Sequence, residues 1–313
     1  MPLFQSAEVY ISSGSAGSTG QLIERLQQIS VNWSVPRQNI SNLGRFKPLN
    51  SRPVVNYIPV SFSLDAIKSS KEIESNFGIL NSTGVGTVFK SFSNNIDGFG
   101  CRNLNILIAP ANSEIYNGQI NVYSGCLSSY TVSASVGEPA RVSCAGEGLD
   151  YQNINNYNAK NNYLFDSNII KPESVNISGI NFSGFGITGL NIQSFNLSLN
   201  LSRQSIFKLG QRFPERPVTE INATLSVNGF LEGISYFSGL NSLVCGEPVT
   251  GSMYFTLIPS CSGGPATTYI AVTPYLDSFN LGASIGSFTS VDLSFSIPIS
   301  INSGEGGSNL IIL

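Results

Sequence analysis

Histidine is absent from all 313 residues. That removes Ser-His-Asp and Cys-His nucleophile arrangements, His-ligated zinc and the commonest general base near neutral pH. Charge is scarce as well: Asp, Glu, Lys and Arg make up 11% of the chain, against about 25% in an average soluble domain. With a net charge of -3 there is no basic field to hold nucleic acid through counterion release. No window approaches the roughly 20 apolar residues of a membrane span. Met1-Pro2-Leu3-Phe4-Gln5-Ser6-Ala7-Glu8 lacks the positive start and apolar run of a secretory signal. The five cysteines, Cys101, Cys126, Cys144, Cys245 and Cys261, contain no C-x-x-C pair and read as small buried hydrophobes of a reducing compartment. Neither a Gly-Lys-Ser/Thr phosphate loop nor the acidic spacing of a calcium loop occurs. Gly184-Phe185-Gly186-Ile187-Thr188-Gly189 matches the dinucleotide fingerprint in letters. It runs into an alternating strand pattern, so pyrophosphate would find no helix N-terminus. No catalytic residue, cofactor or metal site is expected, and the chain reads as a non-enzyme.

What the chain has is repetition. Pro36-Arg37-Gln38-Asn39-Ile40-Ser41-Asn42-Leu43-Gly44 returns as Ser202-Arg203-Gln204-Ser205-Ile206-Phe207-Lys208-Leu209-Gly210, and an Arg-Pro-Val follows each, at Arg52-Pro53-Val54 and Arg216-Pro217-Val218. A second anchor keeps the same order: Leu127 to Gly137 aligns without gaps on Leu276 to Gly286. Residues 146–189 fit neither copy and are rich in Asn, Gly and Ser. The expected organisation is one domain written twice, residues 1–170 and 171–313, each long enough to bury its own core.

Period-two alternation dominates both copies. Ile29, Val31, Trp33 and Val35 face one way in the first copy, as do Phe195, Leu197, Leu199 and Leu201 in the second. Return strands follow with Val60, Phe62 and Leu64, and with Leu225 and Val227. In the second anchor Tyr130, Val132, Ala134 and Val136 form the inward set, matched by Phe279, Leu281, Ala283 and Ile285. The opposite face, Leu127, Ser129, Thr131, Ser133 and Ser135, is turned to solvent or to a lumen. The one helical candidate starts at Ser69-x-x-Glu72, carries Ile73 and Phe77 on one face and stops at Gly78. Further strands are expected at 105–110, 120–123, 140–143 and 291–297. Trp33 reads as a core or interface anchor.

The repeated loop carries the candidate site: Arg37, Gln38, Ile40, Leu43 and Gly44, with Arg203, Gln204, Ile206, Leu209 and Gly210. Two readings stand beside each other. The guanidinium shapes its own loop through local carbonyls or carboxylates, or the Arg-Gln pair bonds a neighbouring subunit. Catalysis rarely needs two copies of a motif, so both readings are structural.

A strand, Pro-Arg-Gln-x-Ile-x-x-Leu-Gly, an Arg-Pro-Val strand and Leu127-Ser128-Ser129-Tyr130 through Val136-Gly137-Glu138-Pro139 together resemble the tail tube proteins of tailed bacteriophages. The resemblance covers about half the chain. In the second copy Ser202 replaces the proline and Ser287-Phe288 replace Glu-Pro. It implies a mainly β fold: two tandem β-sandwich or half-barrel tube domains, each with at most a short flanking helix. It further implies stacked rings forming a hollow conduit for DNA ejection, with trimeric rings of pseudo-six-fold symmetry from the duplicated chain. The implied partners are other copies of the chain, the tape measure and the tail tip or terminator proteins. DNA passes through the lumen without sequence-specific binding, and no membrane is involved. The implied location is the virion tail, assembled in the host bacterial cytoplasm. The competing expectation is a receptor-binding or adhesive β-sandwich module of a virus or bacterial surface protein, suited by low charge and Ser/Asn-rich loops.

Overall fold

The protein is seen as a computed structural model that describes residues 4–12, 21–23, 25–35, 37–40, 50–53, 57–68, 72–77, 101–110, 118–152, 175–178, 187–234, 246, 248–249, 251–258, 266–283, 288–299 and 310–312. In chain order the first part holds β1 (Phe4–Ser12), β2 (Gln21–Leu22), β3 (Leu26–Trp33), β4 (Arg37–Ile40), β5 (Asn50–Pro53), β6 (Val60–Ile67) and α1 (Glu72–Asn76). Next come β7 (Cys101–Pro110), β8 (Gly118–Ser135), β9 (Glu138–Gly148), β10 (Asp150–Gln152) and β11 (Val175–Ser178). The last part holds β12 (Ile187–Arg203), β13 (Val218–Ile234), β14 (Ser252–Leu257), β15 (Thr267–Val272), β16 (Tyr275–Gly282), β17 (Thr289–Pro298) and β18 (Leu310–Ile312). The fold is mainly β and its strand pairs are antiparallel. The described strands close no barrel within one chain.

One face of most strands is apolar, and that periodicity decides the layering. Val60, Phe62, Leu64 and Ala66 of β6 are buried, as are Val142 and Cys144 of β9 and Tyr130, Val132 and Ala134 of β8. Phe195, Leu197, Leu199 and Leu201 of β12, Ala223, Leu225 and Val227 of β13, and Val291, Leu293, Phe295 and Ile297 of β17 complete the same face. These strands form a continuous eight-strand run within the larger sheet, β3-β6-β9-β8-β12-β13-β17-β16. The N-terminal half of β8 pairs with β7 and extends the sheet to β1 and β2.

A four-stranded sheet, β11-β14-β15-β18, forms a second layer. Phe255 of β14 meets Phe195 with ring centroids 5.0 Å apart, and residues of both sheets belong to one core cluster. β8 and β12 are joined strand to strand from Ser135↔Ser194 to Ser129↔Asn200, so strands from either side of residue 170 share one sheet and one core.

The short helix lies where expected, with Ile73 and Phe77 buried and the Phe77 ring stacked on Phe62 at 6.5 Å. Five residues cannot sustain a helix alone, so packing holds it. Gly146 shows why β9 lacks a side chain at that point: a Cβ there would lie 2.3 Å from the Cys126 carbonyl and 2.6 Å from the Phe62 ring.

Three expectations are corrected. Cys101 and Cys126 stand opposite each other across β7 and β8 and form a disulfide. The free-thiol reading does not hold for this pair, whose partners only the strand register brings together. Cys144 is a free buried thiol whose pKa burial pushes up, and Cys245 and Cys261 lie outside the described residues. Leu127, placed by simple alternation on the hydroxyl face, is buried, because the register between β8 and β9 shifts between Leu127 and Ser129. On β16 the inward set is not buried as it is on β8. Phe279 is half-buried, Leu281 is 47% exposed, and Ala283 is exposed. Ile285 lies outside the described residues, and Val136 is exposed beside the Gly137 turn.

Candidate functional site

The second copy of the repeated motif continues directly from β12. Ile206 and Glu215 close a backbone bridge, Lys208 pairs with Glu215, and Gly210 takes a φ of 83°, which favours glycine. The result is a projecting loop whose tip presents apolar groups to solvent: Ile206 is 40% exposed, Phe207 65% and Leu209 105%. Gln204 holds the loop through its backbone N–H, which donates to the Pro217 carbonyl at 3.3 Å.

Arg203 lies at the base of this loop and serves its own chain. Its Nε donates to the Leu127 carbonyl and its Nη1 to the Arg216 carbonyl, both at 2.9 Å. Burial and the neighbouring Arg216 lower its pKa to about 10, against a smaller opposing effect of Glu147. Arg216 is itself buried, and its Nη1 lies 3.5 Å from Glu147 Oε2, long for a hydrogen bond. On the other side Arg212 reaches Asp150 at 2.9 Å and sits 4.9 Å above the Phe213 ring. Phe213 packs on Tyr57 and Tyr123. The loop following β12 is thus fastened to β8, β9 and β10 of the first half. The local-bond reading fits Arg203, and the side chains left for a neighbour are Ile206, Phe207 and Leu209.

The first copy is described in less detail. Arg37, Gln38 and Ile40 lie on β4, which pairs only with β5 among the described strands, through Gln38↔Arg52 and Ile40↔Asn50. Arg37 is exposed. Leu43 and Gly44 lie outside the described residues.

Sequence reasoning missed a buried polar cluster. Glu74 Oε1 accepts hydrogen bonds from Lys68 Nζ and Tyr130 OH, and from Tyr269 OH at 2.9 Å. The two phenols are 2.9 Å apart, and all four side chains are buried. Burial by itself raises the Glu74 pKa, but the charge and hydrogen bond of Lys68, with the Tyr130 hydrogen bond, hold it below its ordinary value. Burial and then Glu74 push Tyr130 and Tyr269 well upward. No solvent-facing group takes part, so this is a tie between α1, β8 and β15. The spacing of these residues along the chain, from 68 to 269, left no local signal.

The sheet face opposite the core is broad and polar. Rows such as Ser143, Thr131, Ser198, Thr224 and Ser296 run side by side across β9, β8, β12, β13 and β17. Thr131 and Ser198 hydroxyls lie 3.3 Å apart. Charges on this face are thin, with Asp65, Arg141, Glu147, Glu220 and Asp292 set among Ser, Thr and Asn. An open cleft of about 630 Å³, lined by Leu190, Asn191, Ile192, Gln193, Phe230 and Phe288, lies at the end of β12 and β13 far from the loop. Among the described residues no three His, Cys, Asp or Glu side chains cluster to hold a metal, and no helix is long and apolar enough to cross a membrane. Compared with known proteins, the chain matches no family model and no curated relative.

Proposed function

We propose that the chain is a structural ring protein of a phage-type tail tube, built from two copies of one tube domain and passing DNA along a lumen with few cations. The observation that carries this reading is that one four-stranded pattern occurs twice. Ile29, Leu64, Cys144 and Tyr130 stand side by side across β3, β6, β9 and β8. Phe195, Val227, Leu293 and Phe279 stand side by side across β12, β13, β17 and β16. Strand order and register are the same in both blocks, and in the sequence a copy of the repeated motif follows the first strand of each.

The junction between the blocks adds a stagger. Tyr130 pairs with Leu199, four residues beyond Phe195, so each four strands advance by four residues. A sheet whose shear equals its strand number closes with a tilt of about 36°. Three such chains supply about 24 strands. At ~4.8 Å per strand they enclose a backbone cylinder roughly 45 Å across. The hydroxyl and amide face then lines the channel, where a surface with few cations lets a polyanion slide without gripping it.

Stacking is assigned to the loop after β12. Its apolar tip and the cleft, in which Leu190, Ile192, Phe230 and Phe288 stand among Asn191 and Gln193, lie at opposite ends of the β12–β13 pair, on the order of 40 Å apart at ~3.3 Å per residue. A tip-into-cleft contact is heterologous and propagates along an axis. Negative-stain microscopy of the purified chain is expected to show rings or stacked tubes with three copies per ring. Discrete monomers or trimers with no tubes would instead favour the adhesive β-sandwich module. Six full chains per ring would remove the trimer.

A further inference from the structure

We propose that Lys68 and Glu74 condense, with loss of water, into an intramolecular amide that joins α1 covalently to the end of β6. The reaction needs no second copy of the chain and is independent of the tube.

Lys68 follows β6 directly, and its backbone N–H donates to the Ala140 carbonyl at 2.7 Å. Glu74 lies on α1 beside Ile73, which is buried in the core. With both ends of the intervening segment fixed in this way, an amine and a carboxyl group six residues apart are held in hydrogen-bond contact, Nζ on Oε1. That contact sets the nitrogen next to the carboxyl carbon. Groups held together in productive geometry react with effective molarities of about 10⁵–10⁸ M.

Burial supplies the driving force. The Lys68 and Glu74 side chains are 1% and 0% exposed, and a buried ion pair keeps two charges from water at a cost that their attraction repays only in part. The amide carries no charge. Lys208 and Glu215 make the same kind of contact at 53% and 34% exposure, where water stabilises both ions and condensation has nothing to gain.

The two oxygens of Glu74 differ as the reaction requires. Oε1 accepts from the phenols of Tyr130 and Tyr269 as well as from Lys68, so donors are already fixed on the oxygen where negative charge develops when the nitrogen adds. Oε2 has no hydrogen-bond partner among the described residues and is the oxygen that leaves. The Nζ–Cδ bond forms and the Cδ–Oε2 bond breaks. Two of the three ammonium protons end on Oε2, which departs as water, and the third stays on the amide nitrogen. Oε1 becomes the amide carbonyl, the phenols keep their protons, and nothing is oxidised or reduced. The ion pair and its acid sensitivity therefore belong to the newly folded chain, and neither group titrates once the water has left.

Peptide mapping by mass spectrometry tests this. Trypsin does not cut after an acylated lysine, and Lys47-Pro48 and Arg52-Pro53 resist it as well. The expected product from the purified protein is residues 46–71 joined to residues 72–90 through Lys68 and Glu74, lighter by one water than the two peptides together. Lys68→Arg keeps the positive charge without the amine and is expected to release residues 72–90 as a free peptide of full mass. Separate peptides 46–68 and 72–90 at full mass from the unaltered protein, after prolonged incubation of the folded chain, overturn the proposal. So does a lost water that fragmentation places elsewhere or that persists in Lys68→Arg. Tubes built from an unlinked chain remove only the cross-link, whereas a linked chain that forms no rings removes only the tube.

Discussion

Glu74 concentrates three donors on one carboxylate oxygen, while Oε2 finds no hydrogen-bond partner among the described residues. Its charge is therefore held chiefly by Lys68. Lys68→Met leaves that carboxylate buried without a counter-charge and is expected to cost about 3–5 kcal/mol in chemical denaturation, whereas Lys68→Met with Glu74→Leu recovers most of the loss. The same group sets an acid limit. Its folded pKa lies below the ordinary 4.5, so its contribution is present above that value and is lost as pH falls through the folded pKa. Tyr130 and Tyr269, raised well above 10, contribute below pH 10 and lose that contribution as pH climbs towards their folded values. Thermal melts across pH are expected to show a plateau between these two limits. At the loop base Arg203→Ala removes two hydrogen bonds from a charged donor and is expected to cost about 2–3 kcal/mol, while exposed Arg37→Ala stays within about 0.5 kcal/mol.

At the scale of elements, β8 does the most joining: it pairs with β7 and β10 along one stretch and with β9 and β12 along the next. The Cys101–Cys126 disulfide sits where β7 leaves it. Replacing both cysteines by serine is expected to lower stability by roughly 3 kcal/mol, as closing a loop of this length implies, with reductant producing the same change in the unaltered chain and none in the variant. The loop after β12 behaves differently, since its tip touches nothing that folding requires. Phe207→Ser with Leu209→Ser is expected to leave the melting temperature unchanged and to leave rings that do not stack, scored by microscopy and sedimentation.

For the whole molecule the expected consequence is an assembly insensitive to salt. The end strands of the eight-strand run, β3 and β16, which a closed ring brings together, carry one charge between them, so screening has little to act on, and a tenfold rise in ionic strength is expected to leave the sedimentation profile of the rings in place. Loss of the rings on adding salt would point to an electrostatic contact elsewhere on the surface. The proposed channel predicts in turn that duplex DNA is not retained by isolated rings on a filter even at low salt, because the lining offers few cations.

Much of this was readable in the chain because alternation is local. A strand with apolar residues at every second position must bury one face, so most of the inward sets of β6, β8, β12 and β13 follow from sequence, and the repeated motif marks where the pattern starts again. Tertiary structure decided what no local pattern holds. It set which edges stay free, so that Leu281 and Trp33 are exposed while Val132 and Leu199, at matching places, are buried. It turned Leu127 inward through a register shift, brought Cys101 to Cys126, and gathered Lys68, Glu74, Tyr130 and Tyr269 across some two hundred residues. The reason is physical: periodicity depends on neighbours along the chain, whereas pairing and burial depend on neighbours across it.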